Sequence, residues 1–366
     1  MISDQNLQKT PLYEKHVSLK ARMVPFGGWD MPVQYEGILA EYQQTRTLAS
    51  LFDTCHMGEF FVEGDCVKSG LDHLVSMTIA DMPLKTCRYG FLLNEQGGVI
   101  DDLIVFRQAF EKWFIVVNAS TISKDAQQFK KHLTSASSFK DLSPSTGKLD
   151  LQGPLARNIL SSLVEDIKKL DYYTFDFFDL FGQNVLISRT GYTGELGYEI
   201  YYPAEKIGQV WDALLKFKEV KPAGLGARDV LRLEVGYSLY GHELSDDITP
   251  LEAGLERFID FNKDFIGKTA LLKQKQEGLK RKSVGLISES RRSPRAEQKL
   301  YDASGKEIGV MTSGTFSPSL QKGIGLGMVE PSLAEKGKTI YFGNDTNKEP
   351  AVVSGKLFYK KGSLKN

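Results

Sequence analysis

The chain has 366 residues, a length that predicts two or three domains with sizeable cores and excludes small disulfide-stapled or single-finger proteins. Its 46 basic and 46 acidic residues cancel, so no overall field attracts it to nucleic acid or to a membrane surface, and we expect neither as a partner. A hydrophobic content of 41% with 25% charged residues predicts a soluble globular protein.

The N-terminal sequence has neither the basic region nor the apolar stretch of a secretory signal, and the apolar segments have the length of strands. We therefore expect a cytoplasmic protein. Cys55, Cys66 and Cys87 are odd in number and lack C-x-x-C spacing, so they predict packed thiols rather than disulfides or a zinc site. The five histidines are scattered, and no metal is expected.

Hydrophobic periods of 3.6 and 2 alternate through the first part of the chain, which favours mixed α and β structure. In chain order they predict a helix at 36–47, a strand at 59–63, a helix at 71–78, strands at 89–94 and 99–105, a strand at 113–118 and a helix at 122–133. The strands at 89–94 and 99–105 flank Glu95-Gln96-Gly97-Gly98, whose glycines can adopt the positive φ of a tight turn. A β-hairpin is therefore predicted there.

The stretch from 134 to 148 shows little periodicity and is interpreted as a domain boundary or crossover. Beyond it the pattern predicts a helix at 154–163, strands at 172–179, 184–189 and 197–202, and helices at 207–215 and 224–236. After residue 279 short strands alternate with glycines, and no long helix is predicted. A separate small β barrel or sandwich is expected there.

Two glycine-rich runs invite a nucleotide-binding interpretation, Gly224-Leu225-Gly226 and Gly323-Ile324-Gly325-Leu326-Gly327. Neither has glycine at the third position of G-x-G-x-x-G, where Asp229 and Met328 stand. The sequence also contains no P-loop and no G-x-S-x-G elbow. Dinucleotide binding, nucleotide hydrolysis by a P-loop and serine-ester chemistry are therefore not predicted.

Asp101 and Asp102 lie on a predicted strand, where alternation sends their carboxylates to opposite faces of the sheet. Asp102 is predicted to share an apolar row with Ile100 and Ile104. An unpaired carboxylate there is costly unless a ligand or partner satisfies it, which motivates a site. The alternative is a solvated carboxylate pair at a sheet edge.

The loop from Arg189 to Glu199 offers glycines, Tyr192 and two glutamates between two strands. Glycines let backbone approach a planar ligand, and a carboxylate can accept two hydrogen bonds from a guanidine-like edge such as that of a pterin. The alternative is a hairpin with solvated glutamates. Arg228 falls in the first turn of a predicted helix, where a cation opposes the helix dipole and suggests an anionic or carbonyl partner.

Taken together, these residues resemble the aminomethyltransferase (T-protein) family of the glycine cleavage system. The resemblance extends in order over nearly the whole chain: Thr10–Tyr13, Gly28–Tyr35, Phe52–Met57, Gly97–Ile104, Val117–Ala119, Gly153-Pro154, Arg189–Glu199, Gly224–Glu234, Tyr240-Gly241, Thr249–Glu252 and Phe265–Lys268. It implies an α+β fold, a three-domain cloverleaf. Its split, ferredoxin-like first domain would comprise residues 1–50 plus 145–275, followed by a second α+β domain at 51–144 and a C-terminal β domain at 280–366.

The resemblance also implies an activity. The family transfers a methylene group from an aminomethyl group on the dihydrolipoyl arm of H-protein to tetrahydrofolate, and releases ammonia and the reduced arm. H-protein and tetrahydrofolate would therefore be partner and co-substrate.

Site residues carry over by position. Asp102 would be the catalytic carboxylate, and the folate pocket would be formed by Met57, Tyr89, Asn118, Tyr192, Glu199, Arg228 and Tyr237. Glu199 and Tyr192 would address the pterin. Cys55 stands where the family has serine, which calls a hydroxyl contact from that position into question.

The chemistry itself explains why a carboxylate is needed. Ammonia must leave to give a reactive thionium or iminium-like carbon, which a folate amine then attacks. A carboxylate beside that amine can orient it, take its proton and stabilise positive charge.

Two other readings of the resemblance stay open. A folate-dependent demethylase of small amines or sulfonium compounds would use the same pocket with another donor. A folate-binding helper of iron–sulfur enzymes would carry a K-G-C-Y-x-G-Q signature, which this sequence lacks. The basic residues from Arg291 to Lys299 are predicted either to dock an acidic carrier protein or to form a solvated face.

Overall fold

The computed structural model describes residues 7–288 and 290–365. The helices of this part of the chain are α1 (Tyr13–Ser18), α2 (Ile38–Thr47), α3 (Leu71–Leu74), α4 (Ile122–His132), α5 (Ala156–Leu160), α6 (Ile207–Leu214), α7 (Leu225–Glu234) and α8 (Lys268–Glu277). Over the described residues, no helix combines the length and the apolarity that a bilayer crossing requires.

The strands form two open sheets, a closed barrel and a small hairpin. In chain order they are β1 (Arg22–Phe26), β2 (Trp29–Gln34), β3 (Ala49–Asp53), β4 (Gly58–Glu63), β5 (Cys87–Leu93), β6 (Val99–Ala109), β7 (Lys112–Val117), β8 (Ser138–Asp141), β9 (Thr146–Gln152), β10 (Phe175–Leu180), β11 (Gln183–Ser188), β12 (Gly197–Pro203), β13 (Val220–Pro222), β14 (Lys282–Ser288), β15 (Lys299–Tyr301), β16 (Glu307–Ser317), β17 (Lys322–Val329), β18 (Thr339–Gly343) and β19 (Lys348–Ser354). The α+β class is confirmed.

The larger open sheet has six strands in the order β10-β11-β12-β9-β3-β13. Alternation along β3 sends Leu51 into the core that also contains Trp211 of α6, and sends Phe52 into a second cluster with α2 and α7. Strand β3 pairs with β9, whose residues lie about a hundred positions further on. The predicted domain boundary between residues 50 and 51 falls inside β3, and the other boundaries stay predictions.

The smaller open sheet has five antiparallel strands in the order β5-β6-β7-β4-β8. One face packs against α3 and α4 around Phe60, Trp113 and Phe129. On the other face Phe106 packs edge-on against Phe175 of the larger sheet, with ring centroids 5.3 Å apart. This aromatic contact fixes the two sheets against each other, and the candidate site lies beside it.

The predicted hairpin between β5 and β6 is confirmed. Gly97 has φ +83°, the left-handed conformation that favours glycine, and Asn94 Oδ1 accepts a hydrogen bond of 2.9 Å from the Gly98 amide. Leu92 pairs with Asp101 and Leu93 pairs with Val99, so Ile100 is the extra residue of a β-bulge in β6, the strand that carries Asp102.

The C-terminal strands close into a barrel in the order β14-β17-β16-β15-β18-β19, so the barrel alternative is confirmed over the sandwich. The glycine run in β17 belongs to this barrel. A Cβ atom at Gly325 would lie 2.6 Å from the backbone oxygen of Ser313, so glycine is needed there for the close approach of two strands. This packing requirement accounts for a glycine of the run without any nucleotide.

Candidate functional site

A cavity of about 1610 Å³ lies between the smaller sheet, the loop after β11 and the region around α7. All eight side chains singled out from the sequence line it: Met57, Tyr89, Asp102, Asn118, Tyr192, Glu199, Arg228 and Tyr237. The hairpin β1–β2 contributes Val24 and Val33, and the C-terminal segment contributes residues such as Tyr359. Segments that are far apart in the sequence therefore build one site.

Asp102 presents its carboxylate to the cavity from β6. Its Oδ2 accepts a hydrogen bond of 2.9 Å from the Tyr89 hydroxyl, and its Oδ1 accepts one of 2.9 Å from Asn118 Nδ2. Burial and the neighbouring charge of Asp101 raise the pKa of Asp102 to about 7. The carboxylate is thus held by two donors and exchanges its proton near neutral pH.

The predicted alternation of Asp101 and Asp102 is confirmed. The apolar row predicted around Asp102 is correct for Ile104 and wrong for Ile100. Asp101 is completely buried on the side of α4, whereas Asp102 lines the cavity. Ile104 lines the cavity as predicted. Ile100, however, packs with Leu103 in the core on the opposite face, because the bulge at this residue shifts the alternation by one residue.

Glu199 belongs to a chain of four charged side chains. Lys148 Nζ lies 2.6 Å from Glu199 Oε1 and 2.9 Å from Asp150 Oδ1, and Arg228 Nη1 lies 2.7 Å from Asp150 Oδ2. The hydroxyl of Thr190 donates to the other Glu199 oxygen. The anionic partner predicted for Arg228 is therefore the Asp150 carboxylate, and two positive and two negative charges balance.

The neighbouring cations keep Asp150 ionised despite its burial. Burial alone would raise the pKa of Asp150, but the ammonium of Lys148 and the guanidinium of Arg228 lower it to about 2. Lys148 and Asp150 were not singled out from the sequence. Both lie on β9, at the edge of the stretch interpreted as a boundary, and the alternation Lys-Leu-Asp-Leu-Gln from 148 to 152 was the signal that could have revealed them.

Aromatic side chains form a wall of the cavity. The rings of Tyr192 and Tyr237 stack with centroids 5.7 Å apart and an interplanar angle of 23°. The guanidinium carbon of Arg228 lies 5.0 Å from the Tyr192 ring centroid, and the Tyr192 hydroxyl donates to the Ser238 carbonyl. Tyr89 packs edge-on against Phe258 at 4.7 Å. Tyr192 and Tyr237 therefore form a stacked aromatic surface in this wall, and Tyr89 is held edge-on by Phe258.

The loop after β3 supplies Met57 and a residue that the sequence analysis did not single out, His56. The Nδ1 atom of His56 is buried and has no hydrogen-bonding partner among the described residues. Burial lowers the pKa of His56 to about 4. Cys55 points instead into the core, where its thiol bonds the backbone of Lys148 at 3.3 Å, so it packs as a buried thiol.

The solvated-glutamate alternative for the glycine-rich loop is wrong. Glu195 is 1% exposed and pairs with Arg46 at 2.8 Å, and Glu199 is 5% exposed. In residues 7–288 and 290–365, no group of three or more His, Cys, Asp or Glu side chains is arranged to hold a metal ion. On the barrel, Arg292 pairs with Glu349 at 2.8 Å, and docking at this basic run stays a prediction.

Comparison with known proteins agrees with the geometry. Residues 12–263 match the family described as the GCVT N-terminal domain, and residues 281–360 match the glycine cleavage T-protein C-terminal barrel domain. The chain is 43% identical to the aminomethyltransferase of Caldanaerobacter subterraneus subsp. tengcongensis, covering 98% of each chain. It is also 43% identical to that of Pseudothermotoga lettingae, covering 89% of this chain and 91% of the relative.

A solved structure supports the same relationship. The glycine cleavage system aminomethyltransferase T from Bartonella henselae superposes with a TM-score of 0.92 at 33% identity, covering 97% of this chain and 99% of that one. Since the family matches span both the sheets and the barrel, the chain belongs to the aminomethyltransferase (T-protein) family of the glycine cleavage system.

Proposed function

We propose that the cavity binds tetrahydrofolate and that Asp102 assists transfer of a methylene group to it from the aminomethyl-loaded lipoyl arm of H-protein. As a member of this family, the chain is an aminomethyltransferase that uses tetrahydrofolate as its co-substrate. The observation that carries the residue assignment is the Asp102 carboxylate, which faces the cavity and has a pKa of about 7. We also place the protein in the cytoplasm.

The residues present fit a pterin. Glu199 Oε2 accepts hydrogen bonds from the hydroxyls of Thr190 and Tyr201, whereas Oε1 accepts one, from Lys148. A carboxylate oxygen can accept two, so Oε1 can accept one further N–H from a guanidine-like edge. The stacked rings of Tyr192 and Tyr237 offer flat apolar surface to a planar ligand. Because Lys148 and Arg228 already balance Glu199 and Asp150, a neutral ring system can enter without leaving a charge unpaired.

Bound tetrahydrofolate supplies the amine that accepts the methylene carbon. Asp102 takes the proton of that amine, and its pKa of about 7 matches a base that must gain and lose a proton near neutrality. Tyr89 and Asn118 hold the carboxylate in place by their two hydrogen bonds. The same negative charge stabilises positive charge that develops on the reacting carbon.

H-protein is proposed as the donor, and the basic residues from Arg291 to Lys299 as the surface that docks it. Exposed charges attract a partner less strongly at high salt, because ions screen the interaction over about 8–10 Å. We therefore expect the KM for H-protein to rise with salt. A KM that does not change with salt contradicts docking at this surface.

The test of the proposal is isothermal titration with tetrahydrofolate, followed in the same sample by methylenetetrahydrofolate formation on adding aminomethyl-loaded H-protein. Binding with transfer supports the proposal. Binding without transfer leaves the pocket intact but favours the demethylase alternative, for which small methylated amines and sulfonium compounds are then tested. No binding refutes the assignment of the cavity.

A further inference from the structure

Two buried carboxyl groups lie directly behind the candidate catalytic carboxylate. Asp101 on β6 and Asp125 on α4 are both 0% exposed, and their side chains face each other as a hydrogen-bonding pair. Asp101 accepts two hydrogen bonds of 2.9 Å from Asn118, one from its backbone amide and one from Nδ2. The Thr121 hydroxyl is close to both carboxyl groups but donates its hydrogen bond of 2.9 Å to the Asn118 carbonyl, and neither Asp125 oxygen has a well-formed donor partner among the described residues when Asp125 is written as a carboxylate.

No cation neutralises this pair. Within residues 7–288 and 290–365, neither carboxylate has a lysine, arginine or histidine nitrogen within 4.0 Å. The nearby cation Lys124 of α4 donates instead to the Tyr240 hydroxyl at 2.7 Å and pairs with Asp246 at 3.0 Å. Two facing carboxylates without a cation cannot both be ionised in a buried site, so one of them must hold a proton.

We propose that Asp125 and Asp101 share one proton, carried by Asp125 and donated to Asp101, and that the resulting charge of Asp101 acts through Asn118 as a positioning device for Asp102. A protonated Asp125 has an O–H group that can donate a hydrogen bond to Asp101. Asp101 then accepts three hydrogen bonds, two from Asn118 and one from Asp125. Burial and the charge of Asp101 raise the pKa of Asp125 to about 10, in agreement with this assignment.

Asn118 connects the pair to the cavity. Its Nδ2 lies 2.9 Å from Asp101 Oδ1 and 2.9 Å from Asp102 Oδ1, so one amide group bridges the two carboxylates. The titratable groups around Asp102 are Asp101 on its own strand, Tyr89 on β5 and Tyr192 in the loop after β11, and those around Asp101 are Asp125 and Lys124 on α4 and Tyr240. Asp101 is the only fixed negative charge next to Asp102 among these described groups, so its removal must make Asp102 easier to ionise.

The proposal rests on the proposed function, because its first test is the pH profile of kcat/KM for methylene transfer. We expect Asp101→Asn to move the acid limb to lower pH by roughly 1–2 units, since a like charge is lost from the neighbourhood of Asp102. The matched control is Asp125→Asn, whose amide donates to Asp101 without changing charge, and we expect it to leave the acid limb in place. A limb that moves equally in both variants, or in neither, overturns the proposal.

A second measurement needs no activity. The infrared difference spectrum between the wild-type protein and Asp125→Asn at neutral pH should show the loss of a protonated carboxyl band. Loss of an ionised carboxylate band instead overturns the shared proton. If the protein binds tetrahydrofolate but transfers nothing, the pH profile cannot be recorded and the proposed function fails, while the infrared result still decides whether the pair holds a proton.

Discussion

Replacing Lys148 with methionine tests the charge chain at the Glu199 end of the cavity. The side chains of Lys148, Asp150 and Glu199 are 1%, 0% and 7% exposed, respectively. Methionine preserves most of the volume but leaves two buried carboxylates facing the single cation Arg228. Removing one partner of a buried pair typically costs about 3–5 kcal/mol, because the remaining charge is uncompensated.

The matched control is Lys15→Met. Lys15 pairs with Asp212 at 2.7 Å, the same kind of ion pair, but the two side chains are 34% and 56% exposed. Water screens that pair, so its loss should cost about 0–1 kcal/mol. The same chemical change is thus expected to differ by about 2 kcal/mol or more at the two positions, because Lys148 is buried between two carboxylates whereas Lys15 is exposed beside one.

Urea unfolding followed by tryptophan fluorescence measures both variants, since Trp211 is buried in the core of the larger sheet. A double variant, Lys148→Met with Glu199→Gln, leaves Asp150 and Arg228 as a balanced pair and should recover much of the lost stability. If Lys148→Met costs no more than Lys15→Met, or if the double variant is no more stable than the single one, charge balance does not hold this end of the cavity together.

Three further predictions concern the site. Asp102→Asn should lower kcat roughly 10²–10⁴-fold while tetrahydrofolate still binds, and turnover close to wild type would contradict its role as a base. Glu199→Ala should weaken tetrahydrofolate binding by about 1–3 kcal/mol, or roughly 5–150-fold in Kd by titration, and an unchanged Kd would remove Glu199 from the pocket. The pKa of His56 is about 4 in the folded protein and 6.5 when it is unperturbed, so between these pH values the unfolded chain binds a proton that the folded chain does not. The free energy of unfolding therefore falls by about 3 kcal/mol as the pH is lowered through that range. His56→Phe should flatten this dependence in urea unfolding at a series of pH values, whereas His73→Phe at an exposed histidine should not.

Features determined by neighbouring residues could be predicted from the sequence. The β5–β6 hairpin follows from two apolar runs and a glycine turn, and α6 follows from Ile207, Val210, Trp211 and Leu214, which repeat at helical spacing and are all buried. The alternation of Asp101 and Asp102 also follows from strand geometry alone. These elements need no knowledge of what lies across the molecule.

Features determined by distant partners could not be predicted in the same way. Lys148 pairs with Glu199, 51 residues away, and Asp150 pairs with Arg228, 78 residues away. The local alternation at 148–152 can place both charges on one face of a strand, but it does not identify the partners that pair with them. The bulge at Leu92 and Leu93 shifted Ile100 to the other face, because register depends on the partner strand. The glutamates of the glycine-rich loop were ambiguous for the same reason.

The buried carboxylates at the two ends of the cavity, near Glu199 and at Asp102, are stabilised in different ways. We infer that the Glu199 end serves ligand binding and the Asp102 end serves proton transfer. At one end cations lower the pKa of Asp150 to about 2, so this charge pattern stays constant over the whole neutral range. At the other end no lysine, arginine or histidine nitrogen of the described residues lies within 4.0 Å of the Asp102 carboxylate, and burial raises the pKa of Asp102 to about 7. A ligand bound at the Glu199 end therefore contacts charges that do not titrate near neutral pH, and it meets a titrating group, Asp102, only where its amine reacts. Protonation of Asp102 should therefore change turnover more than tetrahydrofolate affinity.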